Sequence, residues 1–590
     1  MSLPIRGVMR RLVLAPFFLS LILAACSPGG DDDPTPTATA SLDATATATA
    51  TAAVPDANQT LRVNLPGEPP TLDPQRATDS VSNTILQNIY SGLLRVGPDL
   101  QVLPDLAQEV PTVANGGISE DGLTYTFRLR EGLKWSDGSP LAAQAFVDAA
   151  KRIFEPGAAS YYADFYRVIA APGPDGDANQ AVRAARRAGV TGEELLALEA
   201  LVGPALRVTA PDDRTVVFEL STRTPVFLQL ATMWPLYPVR QDLIDANGAL
   251  WTEAGSHVSN GPFRLAAWDH GERVELVRNE HWHGAPVTLQ SVQFSMVSEN
   301  AVTFLAYKNS ELDIVTLGAA ELVQVRDDIP LREQFIAYAQ LSTVGLFFNL
   351  NDPMLADVHV RQALAGGFDR QEYAEIVREG AVLPAYGWVP PGMPGHDPEV
   401  GAAYRDALEA SRRLLAEAGY PGGAGLTVTI LSVDTTTANQ TTQWLQEQWQ
   451  RNLGITVNVV TRDTATYVAD RTAGNYSVVI SGWGADYPDP QNWLPLFEAG
   501  GAFNSGAYSN PEFDALLDAA EQELDNDRRI QQYLDAQRIL IADAPFTPLY
   551  YGRRNALVKP WVTGLVPSSM EGEIPGDLFF DRVVISGRAQ

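Results

Sequence analysis

Cysteine is almost missing from this chain: Cys26 is the single one in 590 residues. That excludes an internal disulfide framework and any cysteine-rich metal site. Histidine is nearly as scarce, with six scattered residues and no obvious serine or carboxylate partner beside them. There is no G-x-S-x-G elbow, no H-E-x-x-H and no phosphate-binding G-x-x-x-x-G-K-[ST]. Asp486 and Asp489 could suggest the paired acids of a glycosidase, but nothing in the sequence sets a second carboxylate opposite the first. Basic residues are outnumbered, 42 Lys and Arg against 71 Asp and Glu, for a net charge of −29. A nucleic-acid-binding surface carries the opposite sign. Beyond the first 25 residues no apolar run is long enough to cross a bilayer. Enzyme chemistry, a nucleic-acid partner and a membrane-embedded body are all disfavoured.

What is present begins with a leader. Arg6, Arg10 and Arg11 precede a short apolar run over residues 12–25. A basic flank, an apolar core and small residues at its end describe a secretory signal. Leu23-Ala24-Ala25-Cys26 reads as a lipobox, so residues 1–26 are expected to be a lipoprotein signal peptide and Cys26 the lipid attachment site. The product is then expected to be an exported protein anchored at the outer face of the cell membrane. Residues 27–59 hold no aromatic side chain and are rich in Thr, Ala, Pro and Asp. Such a segment cannot bury enough apolar surface to fold and is expected to be a disordered tether.

The roughly 530 residues that follow are too many for one core and suit two lobes. Residues 426–431, 438–452 and 455–460 read as a β-α-β unit, and a helix over 464–473 leads into a β-branched strand over 476–481. This alternation predicts parallel strands. The strand is followed by Gly482-Trp483-Gly484-Ala485-Asp486-Tyr487-Pro488-Asp489-Pro490. Its glycines and prolines predict a loop at a strand's carboxyl end, where open α/β sheets hold ligands. Asp486 has no basic neighbour in sequence and suits a cationic group on a ligand; a turn-capping aspartate is the alternative.

This nonapeptide resembles the ligand loop of the bacterial oligopeptide-binding proteins, and several more segments resemble family 5 extracellular solute-binding proteins in the family's order. They include Thr71-Leu72-Asp73-Pro74, residues 121–130, Gly132-Leu133-Lys134-Trp135-Ser136-Asp137-Gly138 and Asn260-Gly261-Pro262-Phe263. The resemblance implies a two-lobed α/β periplasmic-binding-protein-like fold (type II, cluster C). The first lobe is expected over 60–300 with an extra subdomain at about 90–220. The second lobe is expected over 301–545, with a return to the first over 546–590. It further implies an oligopeptide held between closing lobes and handed to an ABC transporter permease by a monomer that needs no cofactor.

Carried over residue by residue, Asp486 pairs with the peptide α-amino group, Trp483 lines the site and Tyr162 lies nearby. Gly482, Gly484 and the segment from Thr78 to Ser80 pair with the ligand backbone. Where some oligopeptide receptors meet the ligand carboxylate with histidine and arginine, this chain has Ala438 and Ile480, leaving Arg471 as the nearest cation. The wider family also carries oligosaccharides and other solutes, so those ligands stay open. His281 and His283 would share one face of a strand but lack a third ligand, so no metal site is expected.

Overall fold

The computed structural model describes residues 55–155, 160–169, 185, 206–501 and 503–588. The leader with Cys26, the tether over 27–54 and all but Ala185 of a Gly/Ala-rich insertion expected over 172–204 lie outside the described residues.

The first lobe is organised on a four-stranded sheet. Strand β1 (Thr60–Leu65) alternates so that Leu61, Val63 and Leu65 are fully buried. With β2 (Phe263–Asp269), β3 (Arg273–Arg278) and β4 (Ser291–Met296) it gives the order β1-β4-β3-β2, in which β1 lies parallel to β4 and the other pairs are antiparallel. Helix Ser80–Ile89 starts where Asp79 caps it, accepting from the Ser82 amide at 2.8 Å. The subdomain is a three-stranded antiparallel sheet of Thr124–Arg128, Thr215–Glu219 and Val208–Asp212. Its hairpin turns at Asp213 and Arg214, between the paired Asp212 and Thr215, and Tyr125 and Phe127 point inward, as the alternation predicts.

The second lobe holds a seven-stranded sheet of β5 (Ile314–Thr316), β6 (Phe335–Phe348), β7 (Leu383–Pro384), β8 (Thr427–Val433), β9 (Thr456–Arg462), β10 (Val478–Gly484) and β11 (Phe546–Val558). Its order is β5-β11-β6-β10-β8-β9, with β7 added on β11. Strands β8 and β9 are parallel around helix Thr436–Leu453, which buries Trp444, Leu445 and Trp449 against them. The sheet as a whole is mixed, because β10 runs antiparallel to β6 and β6 antiparallel to β11.

Two boundaries differ from expectation. Residues 546–558 do not return to the first lobe: β11 is an inner strand of the second-lobe sheet, between β5 and β6, and the return begins at Lys559. Helix Asn300–Lys308 already packs with the second lobe, since Phe304 and Tyr307 share a core with Val315, Leu317 and Leu557. The body also starts before residue 60. Gln59 is buried and donates from its amide to the Ile585 carbonyl at 2.7 Å, while the Asp56 carboxylate accepts from the Gly587 amide at 2.9 Å.

One buried carboxylate just ahead of β5 joins the two lobes. Asp313 accepts from Arg62 Nη2 at 2.7 Å, Arg588 Nη2 at 2.8 Å and Trp561 Nε1 at 2.9 Å, and its carbonyl accepts from the Lys559 amide. First-lobe strand, outgoing chain and returning chain are tied at this point.

Candidate ligand-binding site

The strand that carries the site is longer than its sequence suggests. Glycines ordinarily end strands, yet β10 continues through Gly482, Trp483 and Gly484, paired in register with Val344, Thr343 and Ser342. A neighbouring strand supplies the order that the glycines lack. The predicted loop is therefore strand up to Gly484, and only the stretch from Ala485 onward leaves the sheet.

The ladder also fixes which way the main-chain groups face. Ala485 donates to the Leu341 carbonyl and Asn349 donates to that of Ser477, which makes the odd-numbered residues of β10 the hydrogen-bonded partners of β6. In an antiparallel pair these alternate with residues whose N–H and C=O point away. Ile480, Gly482 and Gly484 thus direct their main-chain groups to the other edge, where the Ile480 carbonyl accepts from the Tyr467 hydroxyl at 2.5 Å. On that edge β8 pairs only with Val478 and Val479. A Cβ added at Gly484 would meet nothing within 4 Å, whereas one at Gly482 would meet the Thr343 carbonyl at 2.7 Å. The result is an open strand edge with room above Gly484.

Asp486 stands just past the end of that edge. Tyr162 of the first lobe donates to its Oδ1 at 3.0 Å, and Asn492 Nδ2 donates to its Oδ2 at 3.0 Å. The Asn492 side-chain oxygen in turn accepts from the Asp486 amide at 2.9 Å and from Trp483 Nε1 at 3.2 Å. One asparagine therefore sets both Trp483 and Asp486. Among the described residues no cationic side chain pairs with Asp486. Desolvation pushes its carboxyl up to about 6, opposed by the Asn492 and Tyr162 hydrogen bonds. Asp489, by contrast, is spent on structure: it is buried, paired with Arg529 at 2.8 and 2.6 Å, and caps the turn at Gln491.

Aromatic contacts continue across the cleft. Tyr162 packs edge-on against Trp234 at 5.2 Å, and Trp234 Nε1 donates to the Ala77 carbonyl at 3.0 Å, next to Thr78. Phe165 of the first lobe meets Tyr487 at 6.3 Å and Phe503 at 6.4 Å. Trp483 meets Phe503 at 5.3 Å.

The site residues read from the sequence divide into groups. Asp486, Tyr162 and Trp483 come together, with Gly482 and Gly484 on the adjoining edge. Thr78 is exposed ahead of the Asp79 cap, two residues from Ser80, whose hydroxyl is held by Glu573 as it opens helix Ser80–Ile89. Arg471 donates to Ser481 Oγ at 3.0 Å and lies over Tyr467. Ala438 sits in the first turn of its helix and Ile480 packs on the second-lobe core, so neither meets a carboxylate. His283 faces Asp105 at 3.1 Å and His281 packs under Gly138, in a turn and not on a strand. Among the described residues no three His, Cys, Asp or Glu side chains cluster to hold a metal. The reading of the sequence missed Asn492 and Trp234.

Comparison with known proteins agrees with this architecture. The family model described as "Bacterial extracellular solute-binding proteins, family 5 Middle" matches residues 101–505. The oligopeptide-binding protein OppA of Bacillus subtilis is 30% identical over 504 residues, covering 83% of this chain and 87% of the relative. A probable deoxycholate-binding periplasmic protein of Escherichia coli is also 30% identical, over 86% of this chain and 90% of its own. The solved structure of the Escherichia coli murein tripeptide binding protein MppA superposes with a TM-score of 0.75 at 26% identity, covering 91% of this chain and all of that one. The chain belongs to family 5 of the bacterial extracellular solute-binding proteins.

Proposed function

We propose that this protein binds oligopeptides between its lobes and delivers them to an ABC importer, held at the outer face of the membrane by lipid on Cys26. The observation that carries the reading is an enclosed carboxylate without a cation at the end of an open strand edge. Peptides of varied sequence share a backbone and an α-ammonium group. Strand addition to Gly482 and Gly484 binds the first without reading side chains. Asp486 binds the second, because an ammonium taken out of water requires a charged partner. The aromatic rings around Trp483 would also serve a sugar or another solute, but a neutral ligand would leave Asp486 uncompensated.

Native mass spectrometry of the mature domain tests this, before and after partial unfolding to release co-purified ligand. A ladder of peptide masses that is lost in Asp486→Ala is the expected result. A single non-peptide mass, or peptides retained undiminished in the variant, would overturn the assignment.

A further inference from the structure

Asp486 does not stand in isolation; it lines a chamber that runs into the first lobe between Trp234, Tyr237 and Trp282 and reaches Arg95. Arg95 follows helix Ser80–Ile89 on the short strand Leu94–Val96. Its guanidinium makes no hydrogen bond to any described residue, and its Nε is buried without a partner. Its one ion pair among the described residues is loose, Nη1 to Asp581 Oδ2 at 3.8 Å, and 31% of its side chain stays exposed. Phe579 lies under the guanidinium at 5.6 Å and steadies its plane. Burial pushes the Asp581 carboxyl above its ordinary range, against the pull of Arg95 and Arg582.

The chamber continues into an outer cleft that shares Arg95, Asp105, Trp282 and Asp581 with it and adds Arg130, His283 and Arg582. Asp105 is already engaged by His283 at 3.1 Å. The outer cleft thus brings Arg95, Arg130 and Arg582 together with Asp105 and Asp581. Asp486 stands at one end of the chamber with no cation paired to it among the described residues, and Arg95 at the other beside Asp105 and Asp581, with aromatic walls between.

We propose that Arg95 is the anion-binding group of the site: it takes a carboxylate on the same ligand whose ammonium Asp486 holds, so that the protein selects zwitterionic ligands. This rests on the peptide reading above, and it supplies the carboxylate recognition that Ala438 and Ile480 do not offer. A guanidinium with free N–H groups forms short, charge-assisted bonds to a carboxylate, stronger than neutral ones. The ligand carboxylate is either the main-chain terminus or an acidic side chain.

The test is calorimetric titration of wild type, Arg95→Gln and Asp486→Asn with trialanine, trialanine amide and Glu-Ala-Ala amide. Arg95→Gln is expected to weaken a carboxylate-bearing ligand by about tenfold or more and to leave trialanine amide unchanged. A loss confined to trialanine identifies the main-chain carboxylate; a loss confined to Glu-Ala-Ala amide identifies the side chain. Equal loss on all three ligands, or loss on none, overturns the assignment of Arg95. If Asp486→Asn leaves every affinity unchanged, or wild type binds none of the three, the peptide reading falls and takes this inference with it. An Asp486 effect without an Arg95 effect removes the inference alone.

Discussion

Neutral donors alone hold the carboxylate of Asp486, and this sets how its charge responds to pH. Burial raises its pKa from the ordinary carboxylate range to about 6. The group is therefore ionised, and attractive to an ammonium, above that value, and protonated below it. A peptide α-ammonium stays charged up to about 7.7–8.0. Peptide affinity is expected to peak between these limits, falling as pH drops through about 6 and again above about 8. Calorimetry across pH 5 to 9 checks this, and Asp486→Asn is expected to bind too weakly at any pH in that range to show either limb. Asn492 is the other residue to test, since its amide serves Trp483 and both the backbone and the side chain of Asp486. Asn492→Ala strands those groups and is expected to cost about 1–3 kcal/mol in thermal or urea unfolding, besides weakening binding. Asp486 and Tyr162 were legible through the motifs around them. Asn492 was not, because an asparagine after Pro490-Gln491 has the local signature of a turn residue, and its role depends on a loop folding back.

Strand β10 shows both the reach and the limit of local reading. Alternation of helices and strands over 426–481 predicts parallel pairing, and β8 pairs in that sense with both β9 and β10. The antiparallel pairing of β6 with β11 leaves no such trace, since the two strands are about two hundred residues apart and their register is set by packing. For the same reason the glycines of β10 looked like a loop: a strand is recognised from side chains, and here the order comes from β6. The two glycines nevertheless have separable roles. Gly482→Ala forces a methyl group toward the Thr343 carbonyl at 2.7 Å and is expected to lower stability by about 1–3 kcal/mol. Gly484→Ala enters open space and is expected to leave the melting temperature near wild type while weakening peptide binding, because the methyl occupies the ligand's side of the edge. Thermal unfolding and calorimetry of the two variants in parallel separate fold from site. Equal effects of both on stability would remove the open-edge assignment.

Across the whole molecule, the cleft residues and the crossing point form one coupled system. Asp313 ties the outgoing and returning chains to β1 with two guanidiniums and an indole, which restrains the lobes where the chain passes between them. At the opposite end, Tyr162 to Asp486 and Phe165 to Tyr487 and Phe503 bring the lobes together. Closing them without a ligand removes the Asp486 carboxylate from water and offers only neutral hydrogen bonds in return. Desolvation of an unpaired charge therefore opposes closure at neutral pH, and a ligand ammonium removes that opposition. Neutralising the carboxylate by substitution should act in the same direction as ligand. In small-angle scattering at pH 7, the unliganded wild type is expected to show a larger radius of gyration than the same protein with peptide. Unliganded Asp486→Asn is expected to shift toward the compact value although it no longer binds. Wild type at pH 5, below the pKa of about 6, should move the same way. If the radius of the unliganded protein is indifferent to both the substitution and the pH, then Asp486 captures ligand without governing closure, and the restraint lies in the tie around Asp313.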